Sequence, residues 1–550
     1  MTELAFSSRR SPVFSTRGMV AASQPLAVAA GLEMLRLGGS AADAAVASAA
    51  ALGVSEPFST GLGGDCFALY YDAQTRHVSA LNGSGCLPAN LTIERLSREG
   101  ITGELPPLHP YTVTVPGACA GWSDLLGRHG RLSLAQILAP AIQLAEGGFP
   151  VAPLTAQIWD DLTAAVLSQT PGGGELTISG RAPRAGEIFR NPGLAWALKA
   201  IAAGGRDTFY QGEIAARIAR AVQAAGGCMQ VSDLGSHCST WETPLSTTYR
   251  GMRIWECPPN GQGLTALLAL NILEGFNLAL LPTLSAERLH LEIEALRLAF
   301  ADARYFVSDP LFSPAPLEAL LSREYAFSRR ERIDPLRAAA DPGHGSPAAS
   351  SDTVYLCAVD GQGNACSFIN SIYSDFGTGI VPEGCGFALQ DRGSGFSLDP
   401  AHPNALAPGK RPYHTIIPAM ATFPGTGPQD QADPTGALYA AFGVMGSFMQ
   451  PQGHLQVISS MLDDGLDPQA ALDRPRFCIL GGEPGGVVAL EEGIPIGEMS
   501  RLGEMGHAVR PVSGSARSIF GRGQIIRRDP HSAVLCGGSD PRADGCVMTV

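Results

Sequence analysis

Thr353 is a nucleophile whose surroundings would let it carry its own base. The stretch before it, Pro335 to Asp352 (PLRAAADPGHGSPAASSD), is rich in Pro, Ala, Gly and Ser and reads as a loop. The stretch it opens, Thr353 to Val359 (TVYLCAV), reads as a buried strand, which turns at Asp360-Gly361-Gln362-Gly363-Asn364 into a second strand, ACSFIN. A cut between Asp352 and Thr353 would leave hydroxyl and free α-amine on one residue. The chemistry would be an attack of the hydroxyl on the preceding carbonyl, an N→O shift, then hydrolysis, with donors placed to stabilise the oxyanion. A freed α-amine has a reference pKa near ~8, suited to a general base at neutral pH. By itself the local pattern also fits a threonine that merely starts a strand, because Thr favours strands.

Other chemistries lack support. No G-x-S-x-G elbow lies between a strand and a helix, and there is no G-x-x-x-x-G-K-S/T. The loop Gly61-Leu62-Gly63-Gly64 follows a turn and opens no clear helix, so it is a poor dinucleotide site. No H-E-x-x-H exists and the eleven His are dispersed, so neither metal nor cofactor is expected. Twelve Cys form no C-x-x-C pair and read as reduced, small apolar residues. Net charge is −13 without a Lys/Arg-rich run, which argues against nucleic acid or an anionic membrane as partner. No apolar stretch approaches ~18 residues and the first residues lack an apolar signal core, so a cytoplasmic protein is expected.

The elements that must position Thr353 follow from pattern. At 550 residues, length alone allows two to four domain-sized units. Ser23-Gln24-Pro25 reads as a helix start with Ser23 as N-cap, ending at Gly38-Gly39. Ser40 caps a second helix, Ala41 to Leu52, so Ala-rich that it should be buried all round. A strand follows from Cys66 to Tyr71. Residues from about 117 to 230 read mainly as helices, a strand spans Tyr249 to Cys257, and helices lie near 263–275 and 285–306. Beyond Thr353 short strands dominate, with helices near 454–463 and 493–505. Helices and strands in blocks suit a layered α/β sandwich more than a doubly wound sheet.

Over nearly its whole length the sequence resembles the γ-glutamyltransferase family of N-terminal-nucleophile hydrolases. The resemblance rests on Gly18-Met19-Val20-Ala21, Thr114-Val115-Pro116-Gly117 with Gly121-Trp122, Tyr249-Arg250-Gly251 with Pro258-Pro259, Asp352 to Asn364, Phe376 to Val381, Pro408 to Pro412, and Ser539 to Arg542. Gly63 to Leu69, Ser367 to Tyr373 and Phe520 to Gln524 point to the cytoplasmic glutathione-hydrolase-like and acylase branch. The resemblance implies a four-layer αββα fold made from one precursor cut into a large chain, 1–352, and a small chain, 353–550, which together form one integrated domain and a heterodimer. It places Thr353 as nucleophile and Ser371 as the hydroxyl that orients it. Gly446 and Ser447 fall on the paired glycines of the oxyanion hole, where Ser447 serves only if its backbone does not need a positive φ.

The implied pocket departs from the γ-glutamyl pattern. The transferases' arginine for the α-carboxylate is replaced by Ser84, and their three amino-group ligands by Tyr373, Arg392 and Gly395. Two pocket serines become His414 and Thr415, and the stretch from Phe396 to Lys410 is short, as if a lid were truncated. The expected activity is therefore acyl transfer from a small amide, through an acyl-Thr353 ester, to water or an amine. Family membership favours γ-glutamyl compounds such as glutathione. The pocket favours a simpler carboxylate-bearing amide of oxamate, glutaryl or cephalosporin type, with Arg392 as the new carboxylate partner. A non-catalytic, unprocessed homologue is the alternative from another class.

Overall fold

A computed structural model describes residues 10–339, 353–425 and 435–550. Asp352, and with it the expected cleavage bond and most of the loop before it, lies outside the described residues.

Two seven-stranded sheets form the centre. The first runs Cys546–Thr549, Met19–Ala22, Val354–Val359, Ala365–Ser371, Asp65–Asp72, His77–Gly83 and Thr240–Glu242, antiparallel throughout. The second runs Val13–Ser15, Leu535–Ser539, Arg522–Arg528, Thr435–Met445, Ala419–Pro424, Met252–Glu256 and Leu245–Tyr249, also antiparallel. Each sheet draws strands from both sides of Thr353, so the compositional halves do not become separate domains.

Period-2 side-chain alternation builds the layers. Tyr355, Cys357 and Val359 join a core with Met420, Ala441, Met445 and Ile526 of the other sheet. Val354, Leu356 and Ala358 point the opposite way, into a core with the helices Pro25–Arg36, Ala41–Ser55 and Leu134–Gly147. Ala440, Phe442 and Val444 face a third core with the helices Gly263–Leu273, Ala286–Phe306 and Met449–Leu462. The result is the expected four-layer αββα sandwich.

The Ala-rich helix is fully buried along its length and closed by a Ser40–Asp43 capping box. It approaches Pro25–Arg36 so closely that a Cβ on Gly31 would meet Ser48 Oγ at 2.4 Å.

Three local expectations need correction. Ser23 does not cap the first helix: Gln24 is the N-cap, without a side-chain bond, and Pro25 supplies the preset first turn. The single strand over Tyr249 to Cys257 is a hairpin, Leu245–Tyr249 with Met252–Glu256, because Arg250 (φ 49°) and Gly251 (φ 78°) form a two-residue turn with both φ positive. The helix expected from 454 starts at Met449, since Pro451 falls in its first turn, where no intrahelical N–H is lost.

Candidate active site

Thr353 immediately precedes its strand and shares the face of Tyr355, so its side chain lies at one end of the space between the sheets. Val354 pairs with Asn370, and the next step of that register sets Thr353 beside Ser371. Both are fully buried, and Thr353 Oγ1 donates to Ser371 Oγ at 3.2 Å. The strand end that carries Ser371 is gripped by the glycine loop. A Cβ on Gly64 would meet the Ser371 carbonyl oxygen at 2.1 Å, so the loop's glycines serve close backbone approach and not phosphate.

Ser371 Oγ also accepts from the Tyr373 N–H at 2.9 Å and from Arg392 Nη2 at 3.2 Å. Arg392 Nη1 donates to Thr415 Oγ1 at 2.7 Å, and its guanidinium lies over the Tyr373 ring at 4.1 Å. Arg392 is wholly buried. No carboxylate among the described residues lies within ion-pair distance of it, and its Nε has no partner among them. Burial lowers its pKa to about 10, opposed by Tyr373, Asp65 and Asp391. Tyr373 sits at φ 77°, left-handed backbone that is strained for a bulky residue. Burial pushes its phenol up to about 12.

Tyr373 lines a cavity of about 490 Å³ whose other walls include Arg304, Phe396, Tyr413, Phe448 and Gly395. The short stretch after Phe396 contributes Leu398, Asp399, His402 and Asn404 to the same wall. It is braced by Lys410 Nζ, which donates to the Pro403 and Ala405 carbonyls at 2.6 and 3.0 Å. Across Phe448 a second cavity of about 230 Å³ meets Gly446, Ser447, Met449 and Cys478.

Four expected pocket residues, Ser84, Arg392, His414 and Thr415, do not line these cavities. His414 donates from Nε2 to Asp65 Oδ2 at 3.0 Å, and its Nδ1 accepts the Ile416 N–H at 3.4 Å. Burial and the charge of Arg392 hold the imidazole neutral, with a pKa near about 3. Burial raises the Asp65 carboxyl, but His414 and Arg392 together hold it below its ordinary value. Asp65 is therefore an anion, held further by the Gly85 and Gly117 N–H groups at 3.1 and 2.9 Å and by Gln390. Ser84 Oγ donates to Asn82 Oδ1 at 2.6 Å and accepts from Asn260 Nδ2 at 3.2 Å, and Asn260 in turn accepts the His414 N–H. Ser84 and His414 thus form a buried scaffold behind Arg392, not a cavity wall. Thr415 reaches the site only through Arg392.

Gly446 (φ 125°) and Ser447 (φ 51°) are consecutive positive-φ residues. The condition set for Ser447 proves too strict: the backbone takes a positive φ there, and serine accepts it, with its N–H kept in the turn, at a cost of about 1–2 kcal/mol. Its hydroxyl is buried without a partner among the described residues, and Gln262 Nε2 pins its carbonyl at 2.9 Å. Ser447→Gly is therefore expected to raise Tm by a few degrees while leaving the turn intact, because it removes both the strain and an unsatisfied hydroxyl. A thermal melt checks this; a clear fall in Tm would show that the hydroxyl holds the loop.

Gln450 was not foreseen. Its Nε2 donates to Thr353 Oγ1 at 3.5 Å while its Oε1 accepts the Ile417 N–H at 2.9 Å. Nothing local marks it; only the packing of Met449–Leu462 against the strand end brings it to Thr353. Arg304 was missed for the same reason.

Two antiparallel sheets face to face, helices outside and a threonine at the shared end define the N-terminal-nucleophile hydrolase class. A sequence profile described as Gamma-glutamyltranspeptidase matches residues 27–550, and the chain belongs to that family. It is 38% identical over 98% of its length to the glutathione hydrolase-like YwrD proenzyme of Bacillus subtilis (strain 168), covering 99% of that protein. It is 34% identical to the oxamate amidohydrolase proenzyme of Klebsiella pneumoniae subsp. pneumoniae, with 97% of this chain and 98% of that one aligned. The solved structure of cephalosporin acylase from Bacillus halodurans superposes with a TM-score of 0.91 at 44% identity, covering 100% of this chain and 98% of that one. The chain is accordingly a self-processing amide hydrolase or acyltransferase of this family. All twelve Cys are unpaired, and among the described residues no helix is long and apolar enough to cross a membrane.

Proposed function

We propose that the chain is cut between Asp352 and Thr353 into chains 1–352 and 353–550, which stay together as a heterodimer in the cytoplasm and hydrolyse small carboxylate-bearing amides. In this reading Thr353 Oγ1 attacks the scissile carbonyl and the freed Thr353 amine takes its proton. Ser371 and Gln450 orient the hydroxyl. The backbone N–H groups of the Gly446–Ser447 turn receive the oxyanion. Water, or an amine, then releases the acyl group from the ester.

The observation that carries the substrate class is Arg392, buried with no carboxylate in ion-pair distance among the described residues. A guanidinium taken out of water without a carboxylate is costly, and a ligand carboxylate would offset that cost. It sits between the Ser371 hydroxyl and Tyr373, the residue that borders the larger cavity. Substrate would reach it only when Tyr373 yields, which the strained backbone at that residue makes cheaper. The absence of an arginine at Ser84 and of an acid at Gly395 leaves an α-amino acid headgroup without its two charge partners. Relatives named for oxamate and cephalosporin chemistry agree with a substrate other than glutathione.

The test is a hydrolysis screen of matured protein on oxamate, glutaryl and γ-glutamyl amides. Higher kcat/KM on the first two supports the proposal; a preference for γ-glutamyl amides, or for neutral amides, overturns the substrate class.

A further inference from the structure

Away from Thr353, three buried side chains converge where the large chain meets the small one. His290 and Glu294 lie one turn apart on the helix Ala286–Phe306, on one face. His507 follows the helix Ile496–Glu504. One ligand atom from each lies within 4.8 Å of the others. The side chains of His507 and Glu294 are 0% and 2% exposed, and His290 is 0% exposed.

The hydrogen bonds fix the tautomers. His290 Nε2 lies 2.7 Å from the Asp334 carbonyl oxygen, which can only accept, so Nε2 carries the proton. His290 Nδ1 is then bare, and it accepts from His507 Nε2 at 2.8 Å. That leaves His507 Nδ1 bare as well. It is buried with no hydrogen-bond partner among the described residues, and it faces Glu294 Oε1 across 4.0 Å. Two electron-rich atoms thus oppose each other with no proton between them. Zinc bonds of about 2.0–2.1 Å to imidazole nitrogen and 2.0–2.2 Å to carboxylate oxygen set tetrahedral ligand atoms roughly 3.4 Å apart, so an ion would draw these two together by about half an ångström.

The surroundings are those of oriented ligands. His290 donates its far N–H to a backbone carbonyl, and Glu294 Oε2 accepts the Ala339 N–H at 3.0 Å. Arg297 Nη1 competes for Glu294 Oε1, but at 3.3 Å this is a long hydrogen bond.

We propose that His290, Glu294 and His507 bind a divalent transition-metal ion of the zinc type, which replaces the His507–His290 hydrogen bond so that His290 Nδ1, a ring nitrogen of His507 and Glu294 Oε1 face the ion. Imidazole and carboxylate donors suit zinc, cobalt and nickel. The ion would join residues of the large chain to a residue of the small one. It would do so beside Ala338 and Ala339, whose N–H groups are held by the Met505 carbonyl at 2.7 Å and by Glu294. Tying the two chains together rests on the proposed cut; binding of the ion does not.

Chelator-stripped protein, both matured and as the uncut Thr353→Ala form, is titrated with Co²⁺ and then Zn²⁺. The expected result is one equivalent of Co²⁺ with a low-coordinate visible spectrum, displaced by Zn²⁺, in both forms. Zn²⁺ should raise Tm by several degrees. His507→Gln and Glu294→Gln should each lose the spectrum and the Zn²⁺-dependent shift, the second being isosteric where the first fails to fold. No saturable equivalent, or unchanged binding in a folded His507→Gln or Glu294→Gln protein, overturns the site. Binding to uncut but not matured protein, or a matured form that never appears, counts against the clamp and the cut respectively.

Discussion

Thr353→Ala is expected to remain one uncut chain and to show no amidase activity. One oxygen serves both events. In the precursor, Oγ1 is the atom that would attack the carbonyl of residue 352; in the matured enzyme it is the atom that would hold the acyl group. Nothing nearby replaces it: Ser371 Oγ already accepts from Tyr373 and Arg392, and it cannot acquire an α-amine. Removing the nucleophile of a serine hydrolase costs on the order of 10⁶ in kcat, and a similar loss is expected here. Stability should change little, because one buried hydroxyl at the end of a strand contributes about 1 kcal/mol. Thr353→Ser should still cut and still turn over, since hydroxyl and amine are both kept. A denaturing gel and mass spectrometry decide the matter. Cleavage in the alanine variant, or active material with a continuous backbone across this bond, removes the proposed base and ends the mechanism.

Removing the guanidinium at Arg392 should separate substrates by charge. A charged hydrogen bond to a carboxylate contributes about 1.5–3 kcal/mol, so Arg392→Ala is expected to raise KM for a carboxylate-bearing amide by roughly 10- to 150-fold. For a neutral amide of equal size the rise should stay within about threefold. The kcat for both should fall together by a smaller factor, because Ser371 loses a donor that steadies it against Thr353. Arg392→Lys should restore part of the charge effect but not the two-point hold on Ser371 and Thr415, since an ammonium lacks the planar fork. Equal effects on charged and neutral amides would mean that Arg392 acts only through Ser371, and the carboxylate reading would fall.

The residues around Thr353 show how far a linear reading reaches. The strand after it, the turn at Asp360–Asn364 and the returning strand were legible because period-2 burial and turn chemistry are local properties. Ser371 is named by the family resemblance, and the register of that hairpin sets it beside Thr353. The Ala-rich helix was legible for a similar reason: a stretch without a polar face must be buried on every side. The glycine loop at 61–64 was legible as a loop but not in its purpose, which is close approach to a strand more than three hundred residues away in sequence. Ser84 and His414 were placed correctly in the chain and incorrectly in the pocket. Their polar atoms are claimed by Asn82, Asn260 and Asp65, partners that no local pattern predicts.

Sequence alone determined the candidate nucleophile, its strand pair, the layered fold and the family, because each is written in short-range periodicity or in ordered motifs along the chain. Tertiary structure alone decided that Arg392 is buried without an ion-pair partner among the described residues, that Gln450 reaches Thr353, that Ser447 is strained, and that His290 and Glu294 meet His507. Those outcomes depend on how two sheets and two helical layers pack. Packing sets distances and desolvation between residues far apart in the chain, and neither quantity is encoded in the identity or spacing of neighbours.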